Sequence, residues 1–396
     1  MPVTSPTRAA EWPILLAACS VAPREQKSSR LRTLLTHPFD WNSLFELADR
    51  HGVRPLLYQS FLQLEESAPS AVPGPAVPEN EMQRLKQAYY INVQKTLLLS
   101  RELLRIVEKL SVLGIEVMPY KGLALAEMLY QDITLRQSGD IDLLIRPQDL
   151  PRIRSAVAEF GYVPHAPLSA QEEQRYLKSG YECAFDSPAG RNLLEVQWAI
   201  QPHFYAIDFD MPAIFRRAIT ITVADHPLKT PSAADLLLIL SAHAAKHVWD
   251  KLAWLCDIAR LMSLPDLDWK WIDSEARRLG IVRILWVTML AANCLLDAPI
   301  PAPAQSALPP DSTAHDLANE IAGYIVSEKE YDVESPAYFR LMLRLREQQK
   351  DRLRFLQRLI FTPGPSEWQA VRLPRPLFPL YRLVRLSRLA ARLVGA

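Results

Sequence analysis

The chain has 396 residues, of which 49% are hydrophobic and 22% are charged, the proportions of an ordinary globular protein. This length allows two or three packed units, and a net charge of +1 gives no general affinity for nucleic acid, which is therefore not an expected partner. No apolar run is long enough for a membrane span, and the apolar piece near the start is too short for a signal peptide. The cysteines have no metal-ligand spacing and predict reduced thiols in a cytoplasmic protein: Cys19, Cys183, Cys256 and Cys294.

The first predicted region, residues 1–113, is helical. Asp40 is the expected N-cap of a helix that begins at Trp41, and a Pro-rich connector follows at residues 67–78. A long helix should then run from Glu79 to Leu113 and end at a glycine. Its apolar residues recur at helical spacing and should pack against the next region: Leu85, Tyr89, Val93, Leu97 and Leu104.

The second predicted region, residues 114–229, alternates strands with helices. A strand over residues 115–120 should be followed by a helix over residues 123–130. After a flexible turn at Ser138-Gly139, a second strand continues to Ile145. A strand, a helix and a strand joined by short links indicate a mixed α and β unit.

Two acids stand at the start of the second strand. Asp140 and Asp142 are separated by one apolar residue, so both carboxylates should point to the same face. Two adjacent carboxylates on a buried strand repel each other, and a divalent cation such as Mg²⁺ relieves that repulsion. The alternative is a solvated acid pair at a strand end, which binds nothing.

A third acid lies on a predicted hairpin. Strands over residues 181–185 and 193–198 flank a turn that contains Pro188 and Gly190. Glu195 alternates with apolar neighbours on the second of these strands, so it should face one side of the sheet.

Three stretches carry a family resemblance: Lys121-Gly122-Leu123-Ala124, the run from Arg136 to Ile145, and Gly161-Tyr162. They resemble the uncharacterised nucleotidyltransferase family, whose catalytic core is of the DNA polymerase β type. The resemblance implies an α+β fold, in which a small mixed sheet with helices is embedded in a mainly helical chain. Gln197 stands where such families usually have a histidine, and Lys121-Gly122 stands where the superfamily usually has a Gly-Ser pair.

The resemblance also implies a reaction. Asp140, Asp142 and Glu195 would be the catalytic acids and would hold one or two Mg²⁺ or Mn²⁺ ions. A nucleoside triphosphate, with ATP as the expected one, would give a nucleotidylated acceptor, either a small molecule or a protein. Residues expected to contact the triphosphate are two cations and the flexible positions that let backbone N–H groups approach phosphate: Lys121, Arg136, Gly122, Ser138 and Gly139. A binding or scaffold protein that has lost turnover is the alternative, and a polynucleotide polymerase is disfavoured by the neutral charge.

The third predicted region, residues 230–300, is helical and opens at Ser232. His243 and His247 lie on one face of its first helix. The glutamate that a metalloprotease has after the first histidine is missing, which excludes that zinc site. One interpretation is that His243, Lys246 or His247 faces the nucleotide phosphates or the acceptor. The alternative is that a histidine caps a helix or makes hydrogen bonds within a helical core.

A second Pro-rich connector, residues 298–310, leads into the fourth predicted region, residues 301–396. The fourth region ends in an Arg-rich helix without acidic residues after Arg372. Its arginines and leucines fall on separate stripes: Arg382, Arg385, Arg388 and Arg392 on one, and Leu383, Leu386, Leu389 and Leu393 on the other. This pattern suits peripheral contact with a membrane surface, an acidic partner or an RNA backbone. A terminal helix docked on its own domain, with leucines in the core, is the favoured interpretation.

Overall fold

The computed structural model describes residues 8–66, 77–166, 170–188, 190–307, 311–328 and 335–363, and parts of the chain after that up to residue 394. Most of the first predicted connector, residues 67–76, lies outside this part of the chain, as does Ala189 of the predicted hairpin turn.

Helices make up most of the described structure. Five helices precede the first strand: α1 (Glu11–Cys19), α2 (Arg24–Leu34), α3 (Trp41–Arg50), α4 (Arg54–Glu66) and α5 (Glu79–Val112). Four accompany the strands: α6 (Gly122–Tyr130), α7 (Leu150–Ala158), α8 (Ala170–Ser179) and α9 (Met211–Arg216). Nine more follow: α10 (Ala233–Lys246), α11 (Leu252–Met262), α12 (Trp269–Leu279), α13 (Val282–Leu296), α14 (Ala302–Ala307), α15 (Ser312–Ser327), α16 (Pro336–Arg344), α17 (Gln349–Phe361) and α18 (Tyr381–Val394). None of the helices described is long and apolar enough to cross a membrane.

Seven short strands form two sheets. They are β1 (Met118–Pro119), β2 (Ile141–Leu144), β3 (Val163–Pro164), β4 (Glu182–Ser187), β5 (Gly190–Gln197), β6 (Ile219–Val223) and β7 (His226–Thr230). The larger sheet has the order β1-β2-β5-β4-β3, and β6 and β7 form a separate hairpin. Only β2 and β5 are parallel, while the other neighbours in the larger sheet are antiparallel. The predicted α+β class with a small mixed sheet is therefore confirmed.

Two hydrophobic cores hold these elements together. The larger core joins the N-terminal helices α1–α4 to the helices from α10 onward. The smaller core lies under the five-stranded sheet and contains Ile141 and Leu143 of β2 and Leu194 and Val196 of β5. The helical regions before and after the sheet therefore share one core, although they are far apart in sequence.

The long helix α5 has the predicted length, and its predicted packing stripe is wrong at one position. Leu85 is buried, and Tyr89 and Leu104 are half-buried against the larger and the smaller core, whereas Leu97 is 57% exposed. A spacing of four residues drifts around a helix of 3.6 residues per turn, so Leu97 leaves the buried face. The helix also serves both cores: its buried residues are Glu81, Leu85, Asn92, Thr96, Leu99, Ser100, Leu103, Ile106 and Leu110.

The middle of α5 fixes the segment that leads to the acids. The Asn92 amide donates to the Thr134 carbonyl at 2.8 Å, and the Tyr89 hydroxyl lies 2.7 Å from the Thr134 hydroxyl. Burial of the polar Asn92 is therefore compensated by a hydrogen bond. Through these contacts the helix determines where residues 135–140 run.

Two other predicted elements differ from the structure. The strand expected over residues 115–120 is only Met118–Pro119, because it is an edge strand and Pro119 has no N–H to continue the ladder. The second Pro-rich connector, predicted as a loop, contains α14, since proline is tolerated in the first turn of a helix.

The Arg-rich helix α18 contacts the protein through arginines, whereas the prediction placed its leucines there. Arg385 and Arg388 pair with the buried Glu367 at 3.3 and 3.5 Å. Leu383 and Leu386 are 59% and 38% exposed, so the prediction that its leucines enter the core is wrong for these two. The ion pairs with Glu367 turn Arg385 and Arg388 toward the protein, whereas Arg382 is exposed. The side chains of three further predicted members lie outside the described part of the chain: Leu389, Arg392 and Leu393.

We expect His51 to make stability depend on pH. It caps the C-terminus of α3, is 2% exposed, and accepts a hydrogen bond from the Leu252 N–H at 3.2 Å. Burial and the nearby cation of Lys251 lower the pKa of His51 to about 3 from 6.5. The unfolded chain therefore takes up a proton first, and the free energy of unfolding should fall as the pH drops below about 6.5, by at most ~1.4 kcal/mol per pH unit.

Urea denaturation of the parent and of His51→Gln between pH 7.5 and pH 4.5 measures this dependence. The variant should lose stability less steeply on acidification than the parent. His37→Gln, at an exposed position, is the control and should follow the parent. Parallel curves for the parent and His51→Gln would show that His51 takes no part.

Candidate active site

The parallel pairing of β2 with β5 brings two of the three predicted acids side by side. Asp142 is the register partner of Glu195. The apolar residues on either side of each acid enter the core beneath the sheet, so the acids face the opposite side. Asp140 precedes β2 and lines the same cavity, whose volume is about 500 Å³.

This cavity brings all the predicted site residues together. Its walls include the acids and, besides them, Lys121, Gly122, Arg136, Ser138, Gly139, His243 and His247. The sheet and the start of α6 form one side, and α10 with the start of α11 forms the other. The cavity therefore lies between the sheet unit and the helices that follow it.

The acids repel each other because they are close and partly shielded from water. The pKa of Asp140 is raised to about 6, mainly by burial and secondly by the negative charge of Asp142. The pKa of Glu195 is raised to about 7, mainly by burial and secondly by the negative charges of Asp142 and Glu182. A shift of this kind means that the folded protein holds these groups as anions less readily than water does.

Lys121 is the cation nearest the acids. Its ammonium donates to Asp142 Oδ1 at 3.1 Å and also lies over the Tyr120 ring. Burial disfavours its charge, but the charges of Asp142 and Tyr120 and the hydrogen bonds to both together outweigh burial and raise the pKa of Lys121. The side chain of Asp142 is only 4% exposed, so Lys121 supplies the counter-charge that this buried acid needs.

Gln197 connects the acids to one another. Its amide group donates to Glu195 and Glu182 at 3.2 Å each and to Asp142 at 3.4 Å. Its oxygen accepts a hydrogen bond from the buried Tyr120 hydroxyl. A neutral donor among carboxylates holds their oxygens in place without adding charge.

Arg136 is bound by a residue outside the predicted set. Its guanidinium forms an ion pair with Asp257 at 3.0 Å, and Asp257 is 1% exposed. A second nitrogen donates to the Ser138 hydroxyl at 3.3 Å, and the Tyr130 hydroxyl donates to Asp257 at 2.9 Å. This arrangement fixes the segment before the acids to α11 and leaves little of the guanidinium free.

Gly122 lies at the N-terminus of α6, on the cavity wall. Its φ is +51°, a conformation that residues with a side chain rarely adopt. The Lys121 side chain makes no capping hydrogen bond, so the first N–H groups of α6 have no side-chain cap. Unpaired N–H groups at a helix N-terminus attract anionic groups such as phosphate.

The histidines form an aromatic wall opposite the acids. The ring of His243 lies 4.9 Å from that of His247 and 5.0 Å from that of Trp254. Burial and the charge of Lys246 lower the pKa of His247 to about 3, and burial lowers the pKa of His243 as well. Both imidazoles are therefore neutral at physiological pH, and each offers one donor and one acceptor.

The match with known proteins comes from one family model. The model described as uncharacterised nucleotidyltransferase matches residues 37–297, which is more than half of the chain. The chain belongs to the uncharacterised nucleotidyltransferase family. No curated protein and no solved structure matches it. Membership of this family supports a nucleotidyltransferase, and thus a transferase, that uses a nucleoside triphosphate.

We tested whether the acids of this family member suit a divalent cation. No three acidic, histidine or cysteine side chains in the described chain are already arranged around one point as a metal site requires. The chemistry of the donors nevertheless fits, because carboxylate oxygens are the ligands that hard cations prefer. The ammonium of Lys121 already stands in for a cation at Asp142. A metal ion would therefore have to displace Lys121 from Asp142.

Two further residues of the site, Glu182 and Tyr181, were missed by the predictions, while Lys246 was among the residues expected to face the substrates. Glu182, on β4, is a fourth acid in the cavity, and Lys246 and Tyr181 lie beside it. The Lys246 ammonium donates to the Tyr181 hydroxyl at 3.0 Å, and burial lowers the pKa of Lys246 to about 8. Glu182 belongs to the predicted strand that pairs with the one carrying Glu195, so the hairpin pattern contained a signal for it.

We expect the repulsion among the acids to reduce stability in metal-free protein. The folded protein keeps the Asp140 proton up to about pH 6, whereas the unfolded chain loses it near pH 3.8. The contribution of the Asp140 proton to the free energy of unfolding is therefore complete below pH 3.8. It is lost as the pH rises through about 6. Asp140→Asn cannot ionise and should be more stable than the parent at pH 8 by ~1–2 kcal/mol, with little difference near pH 4.

Chemical denaturation in EDTA at the two pH values measures this difference. Asp225→Asn is the control, because Asp225 is exposed and has a φ of +64°, which asparagine tolerates. An Asp140→Asn variant no more stable than the parent at pH 8 would show that the acids do not strain the folded state.

Proposed function

We propose that this chain transfers a nucleoside monophosphate from ATP, or another nucleoside triphosphate, to a hydroxyl group of a small-molecule or protein acceptor, with Mg²⁺ or Mn²⁺. The observation that carries the proposal is the common cavity of Asp140, Asp142 and Glu195, the last two paired across parallel strands. Membership of the nucleotidyltransferase family supports the same reaction class.

The acids divide the work between binding and proton transfer. Asp140, Asp142 and Glu195 would hold the cation, which when bound neutralises phosphate charge and makes the acceptor hydroxyl easier to deprotonate. The acceptor oxygen forms a bond to the α-phosphorus, the bond from that phosphorus to the bridging oxygen breaks, and pyrophosphate leaves with the electron pair. Glu195, placed beside Asp142 by the pairing of β5 with β2, would take the hydroxyl proton.

The remaining side chains bind and orient the triphosphate. Lys121 is 3.1 Å from Asp142, and we propose that it turns to the triphosphate when the cation takes its place. Gly122 and the Ser138-Gly139 segment would offer backbone N–H groups to phosphate oxygens. Because Asp257 binds the Arg136 guanidinium, Arg136 would act mainly by holding that segment in position.

The wall opposite the acids would take the uncharged parts of the substrates. Neutral His243 and His247 can hydrogen-bond to a base or to the acceptor without repelling Lys246 or Lys121. A cytoplasmic location and a peripheral membrane contact by α18 stay predictions. Nucleic acid is not a proposed partner, given the net charge of +1.

A binding protein without turnover is the second candidate, and one observation favours it. Lys121 already pairs with Asp142, and Gln197 donates to the neighbouring acids, so part of the acid charge is compensated without a metal ion. Such a protein would bind a triphosphate and release it unchanged.

We expect Glu195→Gln to abolish most of the transfer of label while leaving triphosphate binding within a few-fold of the parent. Its role lies in proton transfer and metal binding, and loss of one such group lowers turnover by about a hundredfold or more. The assay incubates the protein with Mg²⁺, cell extract and each labelled triphosphate in turn, and follows labelled product.

Calorimetry with Mn²⁺ provides the second readout. Asp140→Asn combined with Asp142→Asn should remove Mn²⁺ binding while the fold survives, and Asp225→Asn should bind as the parent does. Unchanged Mn²⁺ affinity in the double variant would contradict the metal site. Tight binding of triphosphate by the parent without any labelled product would support the binding-protein candidate instead.

A further inference from the structure

The outer face of α5 carries an apolar, cationic surface beside the active-site cavity. Four large apolar side chains, in two pairs seven positions apart, are exposed by 54% to 69%: Tyr90, Ile91, Leu97 and Leu98. Three exposed cations accompany them: Lys86, Lys95 and Arg101. We call these seven residues the α5 surface.

The charge of this surface has one sign only. No acidic residue occurs from Met82 to Arg101. None of its three cations forms an ion pair with the part of the chain that the structure describes. Lys95 also interacts with the charge of Asp140, whereas among the described residues Lys86 and Arg101 have no acidic neighbour of this kind. A solvated helix face of this length usually mixes both signs, so these cations favour a partner that carries carboxylates.

A second cavity joins this surface to the reaction site. It has a volume of about 190 Å³, lies between α4 and α5, and is lined by Ile91 and Lys95 of the α5 surface. Gln137 and Ser138 line this cavity and also the active-site cavity. A chain that occupies the second cavity would therefore extend to the acids.

Two buried polar atoms of the second cavity lack partners. The Oε1 of Gln137 accepts no hydrogen bond, and the Nε of Arg54 donates none, within the described residues. An unpaired acceptor and an unpaired donor on the wall of this cavity favour a partner with both donor and acceptor groups, as the polar side chains of a protein provide. A lipid surface cannot enter this cavity, and an RNA backbone offers phosphates but few aliphatic groups for Ile91 and Leu98.

We propose that the α5 surface docks a partner protein through a segment with acidic and apolar side chains, and that this partner is the acceptor of the nucleotide. Apolar side chains of the segment would cover Ile91 and Leu98, and its carboxylates would pair with Lys86 and Arg101. The identity of the partner as acceptor rests on the proposed function, whereas docking itself does not.

The probe is a fluorescent synthetic amphipathic helix built from leucine and glutamate, and its binding is followed by anisotropy at low and high salt. The parent should bind it, and binding should weaken with salt because the cations are exposed. Ile91→Ser combined with Leu98→Ser should weaken binding by about tenfold or more, and Lys86→Glu combined with Arg101→Glu by a similar factor. Val112→Ser is the control, since Val112 is 81% exposed on the same helix but outside the surface.

Several results would overturn the docking proposal. The first two are equal binding of a leucine–lysine helix by the parent, and parental affinity for the probe in both double variants of the α5 surface. The other two are that these double variants lose self-association, or that they lose binding to anionic vesicles. The last two would identify a second copy of the chain or a lipid surface as the occupant. Melting temperatures within about one degree of the parent's, as expected for surface substitutions, confirm that the variants are folded.

The probe also separates this proposal from the proposed function. Asp140→Asn combined with Asp142→Asn should bind the helix as the parent does, because the acids lie outside the α5 surface. Transfer of label to other acceptors without any binding of the helix would overturn the docking alone. Binding of the helix without any transfer would leave the docking intact and contradict the proposed function.

Discussion

The parallel pairing of β2 with β5 is the constraint on which the site depends. Its register puts Asp142 beside Glu195 and sends the flanking apolar residues into the core below. A slip of one residue would send the acids into that core, so burial of the apolar face also fixes the acids on the other. The hydrophobic packing that stabilises the sheet therefore determines where the charges lie.

The negative charges of these acids need neighbouring cations or hydrogen-bond donors, and the surrounding elements provide them. Lys121 neutralises Asp142, and Gln197 donates to the acids without adding charge. The pair of Arg136 with Asp257 connects the segment before the acids to α11. Because α11 belongs to the larger helical core, the cavity keeps its shape only while the two units stay packed. The raised pKa values of Asp140 and Glu195 show that this compensation is incomplete, which leaves a role for a cation.

Sequence patterns were sufficient for the local features of this site. Alternation along one strand predicted that Asp140 and Asp142 face one way, and the hairpin pattern predicted that Glu195 reaches the sheet. The cap at Asp40 and the length of α5 were also predictable, since both depend on neighbouring residues.

Features that depend on distant residues could not be predicted. The partner of Arg136 is Asp257, which is 121 positions away, and nothing in either segment indicates the other. The exposure of Leu97 on α5 was not predicted, because one helix serves two cores and a polar contact at Asn92. Lys246 and Glu182 line the same cavity only because α10 lies opposite the sheet. The inward arginines of α18 likewise depend on Glu367, a contact that helical periodicity does not contain.

Anomalous diffraction from crystals soaked with Mn²⁺ and a non-hydrolysable triphosphate tests the central claim most directly. The account predicts a manganese peak bounded by Asp140, Asp142 and Glu195, with the Lys121 ammonium moved from Asp142 to the triphosphate. A triphosphate bound in the cavity without manganese at the acids, and with Lys121 still paired to Asp142, would contradict the claim that these carboxylates form a catalytic metal site.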